Sequence, residues 1–186
     1  MNKKSSTLLA LAVSTGLFSL TANAITGTSS VQATFTSTIG AGTCVAQIQD
    51  ASGQSISTLA FGDVFKSDLI SQSRNEPFKI AFSNCAGVKS ATVKAIKGTG
   101  GTCSGAGLTG DSFAAGNETG FEVWKGTAGT GTLLSCNTTP VQNVTISGAT
   151  ANLDMAARIV IASGKTIADV TTGDVSAPVT FVVTYQ

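Results

Sequence analysis

Ala151-Asn152-Leu153-Asp154-Met155-Ala156-Ala157-Arg158-Ile159-Val160-Ile161 is the stretch on which the fold class turns. Its first seven residues could pass for a short helix. Yet Leu153, Met155, Ala157, Ile159 and Ile161 alternate strictly with Asp154, Ala156, Arg158 and Val160, and the run ends β-branched. A period of two and β-branched side chains predict a strand. The same period recurs outward from it. Phe78, Ile80 and Phe82 alternate with Lys79, Ala81 and Ser83, and Phe121 and Val123 with Glu122 and Trp124. Val179, Phe181, Val183 and Tyr185 alternate with Thr180, Val182 and Thr184. Before the first cysteine, Val31, Ala33, Phe35 and Ile39 alternate with Gln32, Thr34, Thr36 and Thr38. Gly, Ser, Thr and Asn clusters such as 97–110 and 125–131 separate these runs and predict turns and loops. Strands throughout, with no internal repeat or linker, predict one all-β sandwich of antiparallel strands.

Composition narrows the chemistry. Only 11% of the 186 residues are charged, against roughly 25% in an ordinary soluble domain. There is no histidine, so Ser-His-Asp and Cys-His catalysis and His-ligated zinc are excluded. A net charge of +1 supplies no basic field for nucleic acid. The carboxylates are scattered singly, which suggests no acid/base pair. Gly105-Ala106-Gly107-Leu108-Thr109-Gly110 matches a dinucleotide fingerprint, but no apolar strand leads in and no helix leads out. Three Asn-x-Thr triplets, at Asn117, Asn137 and Asn143, are read as chance in a Thr-rich chain, and Ser163-Gly164-Lys165 as an exposed turn. No cofactor or metal is expected, and no enzymatic activity.

The first segment reads as an address. Lys3 and Lys4 precede an apolar run from Leu8 to Leu20 that ends in Ala22-Asn23-Ala24, an A-x-A cleavage pattern. The run is too short for a spanning helix, which needs about 20 residues. Residues 1–24 are therefore expected to be a signal peptide cut after Ala24, leaving 162 residues and, with two lysines gone, a net charge of −1. Export to an oxidising compartment makes two disulfides the default for Cys44, Cys85, Cys103 and Cys136. Three connectivities are possible, of which 44–85 with 103–136 is the sequential one.

Three features combine: an alternating segment before the first cysteine, the run Phe78-Lys79-Ile80-Ala81-Phe82-Ser83-Asn84-Cys85 about forty residues after Cys44, and a terminal alternating strand over 177–186. Together they resemble the pilin subunits of chaperone–usher fimbriae, the type 1 and P pilus family, over essentially the whole mature chain. The family's C-terminal signature is a penultimate aromatic and a glycine fourteen positions from the end, here Tyr185 and Gly173. Its cysteine pair maps onto Cys44 and Cys85. Two departures stand out. Ser37 occupies a position where the N-terminal run usually has glycine, and Cys103 with Cys136 is an extra pair, read as a staple across a Gly-rich insertion.

The resemblance implies an incomplete immunoglobulin-like β-sandwich, the pilin fold, lacking its last strand and completed by a donor strand from another protein. It divides the chain into a leader (1–24), a donor-strand extension (25–38) and a pilin domain (39–186). Ile25, Val31, Ala33 and Phe35 would enter a neighbour's groove, although the same segment could pack in cis as the subunit's own first strand. Gly173, Val179, Phe181, Val183, Tyr185 and Gln186 would form the acceptor edge that also zips to a chaperone, with the terminal carboxylate paired to basic chaperone residues. Expected partners are neighbouring pilin subunits in a head-to-tail polymer, a periplasmic chaperone, an outer-membrane usher and, through the assembled fimbrium, host-surface glycans. The expected function is that of a structural subunit exported through the periplasm to a surface filament used in adhesion. The alternative is a carbohydrate-binding minor or tip subunit; an unrelated secreted β-sandwich would not need the free segment before Cys44.

Overall fold

A computed structural model of the chain describes residues 34–37, 42–105 and 110–186. The chain divides into two units, Met1–Thr38 and Ile39–Gln186. In the first, the four described residues are all exposed and Phe35 is 94% accessible. The expected leader and Ile25, Val31 and Ala33 lie outside the described residues.

The second unit is a sandwich of antiparallel strands. One sheet runs β1 (Thr43–Asp50), β2 (Asn75–Ala86), β8 (Ala151–Ile161), β5 (Thr119–Lys125) and β4 (Phe113–Gly116). The two-residue β6 (Thr132–Leu133) pairs with Trp124 and Lys125 at the end of β5. The other sheet is short: β7 (Gln142–Thr145), β3 (Ser90–Lys97) and β9 (Val179–Tyr185). The deciding stretch Ala151–Ile161 is a strand along its whole length, paired to β2 on one edge and to β5 on the other.

Period-two patterning places the core between the sheets. Phe78, Ile80 and Phe82 of β2 and Leu153, Met155 and Ala157 of β8 are buried against Ala91, Val93 and Ala95 of β3. Each large apolar side chain so covered stabilises the fold by about 1.5–3 kcal/mol. The far end of β8 outruns the short sheet. There Ile159 is covered by a second cluster that includes Leu69 and Val170. Leu69 belongs to a six-residue helix, α1 (Lys66–Ser71), which the strand-only expectation misses. The Phe65 amide donates to Asp68 Oδ2 at 2.9 Å and opens the helix turn. Six residues are too few to show a helical apolar period.

Both disulfides form, Cys44–Cys85 and Cys103–Cys136. The first joins the paired strands β1 and β2, as the resemblance implies. The second departs from the reading as a staple across an insertion. Between its cysteines lie β4, β5 and β6, and β5 is an integral strand of the large sheet. The glycine-rich stretch is thus an excursion from a sheet that continues through it. Its base is tied by Ala114 N donating to the Thr102 carbonyl at 2.8 Å and Cys136 N to that of Asp111 at 2.8 Å.

Candidate functional site

β9 has one partnered edge. It pairs with β3 from Ala91–Tyr185 to Lys97–Val179. At the ends of this ladder Ser90 and Gln186 exchange hydrogen bonds at 2.8 and 3.2 Å, and Gly98 N donates to the Pro178 carbonyl at 2.9 Å. Main-chain groups alternate in direction along a strand, so residues 178, 180, 182, 184 and 186 point theirs at β3. Val179, Phe181, Val183 and Tyr185 must then direct N–H and C=O to the other edge, where no strand pairs among the described residues. The same four side chains turn inward and pack, half-buried, against the core. Phe181 lies 5.8 Å from Phe78 and Tyr185 6.5 Å from Phe82, centroid to centroid. Main-chain groups with no strand partner among the described residues and incompletely covered apolar side chains thus coincide on four residues.

A cleft of about 1260 Å³ opens beside part of this edge, over a floor that includes Phe78, Phe121, Val123 and Ile159. One wall is the segment 56–66 and the other is 170–181. In the first wall Leu59 and Phe61 are half-buried while Thr58, Ala60 and Gly62 are exposed, the alternation of an extended chain. Phe61 packs on Phe121 with ring centroids 4.8 Å apart. No main-chain hydrogen bond joins residues 57–64 to other described residues. The wall is held instead by the packing of Leu59, Phe61 and Val64 onto the buried clusters and by the Arg74 side chain, whose Nε and Nη2 both donate to the Phe61 carbonyl, the former at 3.1 Å.

The second wall is tied to the β4–β5 hairpin. Ser176 N donates to the Ala115 carbonyl at 3.0 Å and Asn117 Nδ2 to that of Asp174 at 3.4 Å. Gly173 sits in this wall, outside β9, with φ of +140°. A Cβ there would stand 3.0 Å from Asn117 Nδ2. The turn into the first wall is fixed by Asp50, which accepts bonds from the Ser52 hydroxyl and the Ser52 and Gln54 amides. Those bonds, the Ser52 hydroxyl first, hold its carboxyl below the usual carboxylate range.

The structure therefore brings Val179, Phe181, Val183 and Tyr185 to one edge and places Gly173 beside them in the cleft wall. Gln186 extends the ladder: its main-chain oxygen accepts from the Lys89 and Ser90 amides at 3.1 and 3.2 Å. Of the N-terminal residues only Phe35 is described. Leu59, Phe61, Arg74 and Asn117 were not legible in sequence, since Leu59-Ala60-Phe61 is too short to show a period and Arg74 is a lone cation. Among the described residues no group of three acidic or cysteine side chains could hold a metal ion.

Comparison with known proteins bears on family and fold. A family model described as fimbrial protein matches residues 33–186. The uncharacterized fimbrial-like protein YadL of Escherichia coli (strain K12) is 37% identical over 174 residues, covering 86% of each chain. The fold is similar to that of the P pilus rod subunit PapA, with a TM-score of 0.51, 24% identity, and coverage of 77% of this chain and 99% of that one. It is also similar to a subunit from a chaperone–usher pilus structure concerned with rod uncoiling, with a TM-score of 0.54 and 21% identity, covering 85% and 96%.

Proposed function

The chain belongs to the fimbrial protein family, and from that premise we propose that it is a subunit of the chaperone–usher type that polymerises by donor-strand exchange, giving its N-terminal segment to one neighbour and accepting another's beside β9. The observation that carries this reading is the coincidence on Val179, Phe181, Val183 and Tyr185 of open main-chain groups and half-covered apolar side chains. A strand laid along that edge satisfies both at once. An edge left open in this way invites indiscriminate pairing, which favours a chaperone covering it before assembly and an usher delivering the subunit to the cell surface.

Residues 25–38 supply the complementary strand, with Ile25, Val31, Ala33 and Phe35 on its apolar face. Burying Ile25, Val31 and Phe35 contributes roughly 1.5–3 kcal/mol each, Ala33 less, and a main-chain ladder adds to it. Donor and acceptor are different surfaces of one chain, so the contact is head-to-tail and builds an open fibre. The product is a structural element of an adhesive surface filament.

The test is deletion of residues 25–36 from the mature protein in cells that assemble the filament. The truncated subunit should still be recovered with its chaperone and be absent from polymer. Its incorporation at the normal level would sink the donor assignment.

A further inference from the structure

One cation outside the cleft bears on how a strand would be received, a role that depends on the donor-strand reading. Arg74 stands just before β2 and gives both Nε and Nη2 to a single acceptor, the Phe61 carbonyl oxygen. Glu76 lies 3.8 Å from the same Nη2. The ring of Phe61 packs onto the floor, on Phe121, while Leu59 and Val64 of the same wall also pack onto the buried clusters. Arg74 thus fixes both the position of this wall and its rotation about its own axis.

The rotation decides which main-chain groups are on offer. In an extended segment, residues two apart direct N–H and C=O to the same edge. Leu59 shares the inward alternation of Phe61, and its main-chain groups therefore lie on the edge that Arg74 occupies. Arg74 does not line the cleft, whereas the whole run from Ile56 to Lys66 does. By the same alternation Thr58 and Ala60 direct their N–H and C=O to the edge opposite Arg74. Gly62, at φ of +62°, then ends the extended run.

We propose that Arg74 is a positioning residue for strand capture: by holding the Phe61 carbonyl it turns the groups of Thr58 and Ala60 toward the incoming segment of a second copy, and it confines pairing on that wall to the stretch before Gly62. The incoming strand is then paired on both sides, to Thr58 and Ala60 on one and to the odd-numbered residues of β9 on the other. Register is limited by this short wall more than by the longer β9.

Amide-resolved hydrogen exchange tests this on the full mature chain mixed with an excess of a synthetic peptide of residues 25–38. The amides of Thr58, Ala60, Phe181, Val183 and Tyr185 should slow by about tenfold or more, and those of Leu59 and Phe61 should not change. In Arg74→Met the β9 amides should still slow, the Thr58 and Ala60 amides should not, and the peptide should leave about tenfold faster. Arg74→Lys keeps the charge near Glu76 but cannot give two fixed donors to one oxygen, so it should behave as Arg74→Met does, and it serves if the methionine variant fails to fold. Slowing at Leu59 and Phe61, or wild-type exchange and dissociation in both variants, overturns the role of Arg74. Failure of the β9 amides to slow in the wild type overturns the donor-strand reading itself, and the proposal with it.

Discussion

Tyr185 meets Phe82 edge to face between the two sheets, with ring centroids 6.5 Å apart and planes at 83°. Phe82 is 1% exposed while Tyr185 is half-buried. One ring is finished core and the other is core covered from one side only. Phe78 and Phe181 repeat the relationship at 5.8 Å four residues along. The open edge is therefore continuous with the centre of the fold, and occupying it would stabilise the whole subunit.

Truncating these rings should cost less than in a closed core. Tyr185→Ala and Phe181→Ala should each lose about 1–3 kcal/mol, below the 3–5 of a fully buried aromatic. The two losses should be close to additive, since the residues contact different partners. Urea unfolding of both single variants and the double variant reads this. A loss near 5 kcal/mol from either one alone would mean that the edge is already covered.

Gly173→Ala should loosen the second cleft wall. The residue's φ of +140° is one that an L side chain adopts only with strain, and the new methyl would stand 3.0 Å from Asn117 Nδ2. The expected destabilisation is about 1–3 kcal/mol, with the Asn117 bond to the Asp174 carbonyl broken. Thermal unfolding measures the first, and the Asn117 side-chain amide resonance the second. An unshifted resonance would place the wall's anchorage elsewhere.

Replacing Cys103 and Cys136 together by alanine should lower stability by about 4 kcal/mol on the chain-entropy account. The crosslink closes a separation of 33 residues, against 41 for Cys44–Cys85, and the logarithmic dependence makes the two nearly equal. Urea midpoints of the two pairwise variants should therefore agree closely. A clearly smaller loss at 103–136 would show that the hydrogen bonds at the base of that stretch hold it unaided.

Asp50 should titrate below the ordinary aspartate value of 3.8 because the Ser52 hydroxyl and the Gln54 amide favour its charged form. A depressed folded-state value stabilises the protein above the unfolded-state value. That contribution is lost as pH falls through the folded one. Asp50→Asn should accordingly flatten the acid side of the stability profile below about pH 4. Carboxyl NMR titration locates the midpoint directly, and a midpoint at or above 3.8 would refute the assignment.

Leu153, Met155, Ala157, Ile159 and Ile161 announce a strand because a pleated backbone turns alternate side chains to one face, whatever else the chain does. For the same local reason Phe78-Lys79-Ile80-Ala81-Phe82 and Val179 to Tyr185 were legible, and with them the all-β class and the half-apolar edge. The even cysteine count made two disulfides the expectation, and both are present. What no local pattern carries is which edges remain open. That Val179, Phe181, Val183 and Tyr185 point main-chain groups away from β3 follows only from the register of the Ser90–Gln186 pair. That 57–64 becomes a wall follows from contacts distant along the chain: Leu59, Phe61 and Val64 pack onto the buried clusters, and Arg74 reaches the Phe61 carbonyl across thirteen positions. The sequence by itself determined β2, β5, β8 and β9, their apolar faces and the exclusion of histidine chemistry, since these depend on residue type and near neighbours. Only the tertiary structure decided the pairing of the cysteines, the carriage of three strands between Cys103 and Cys136, and the cleft, since each depends on contacts between residues distant along the chain.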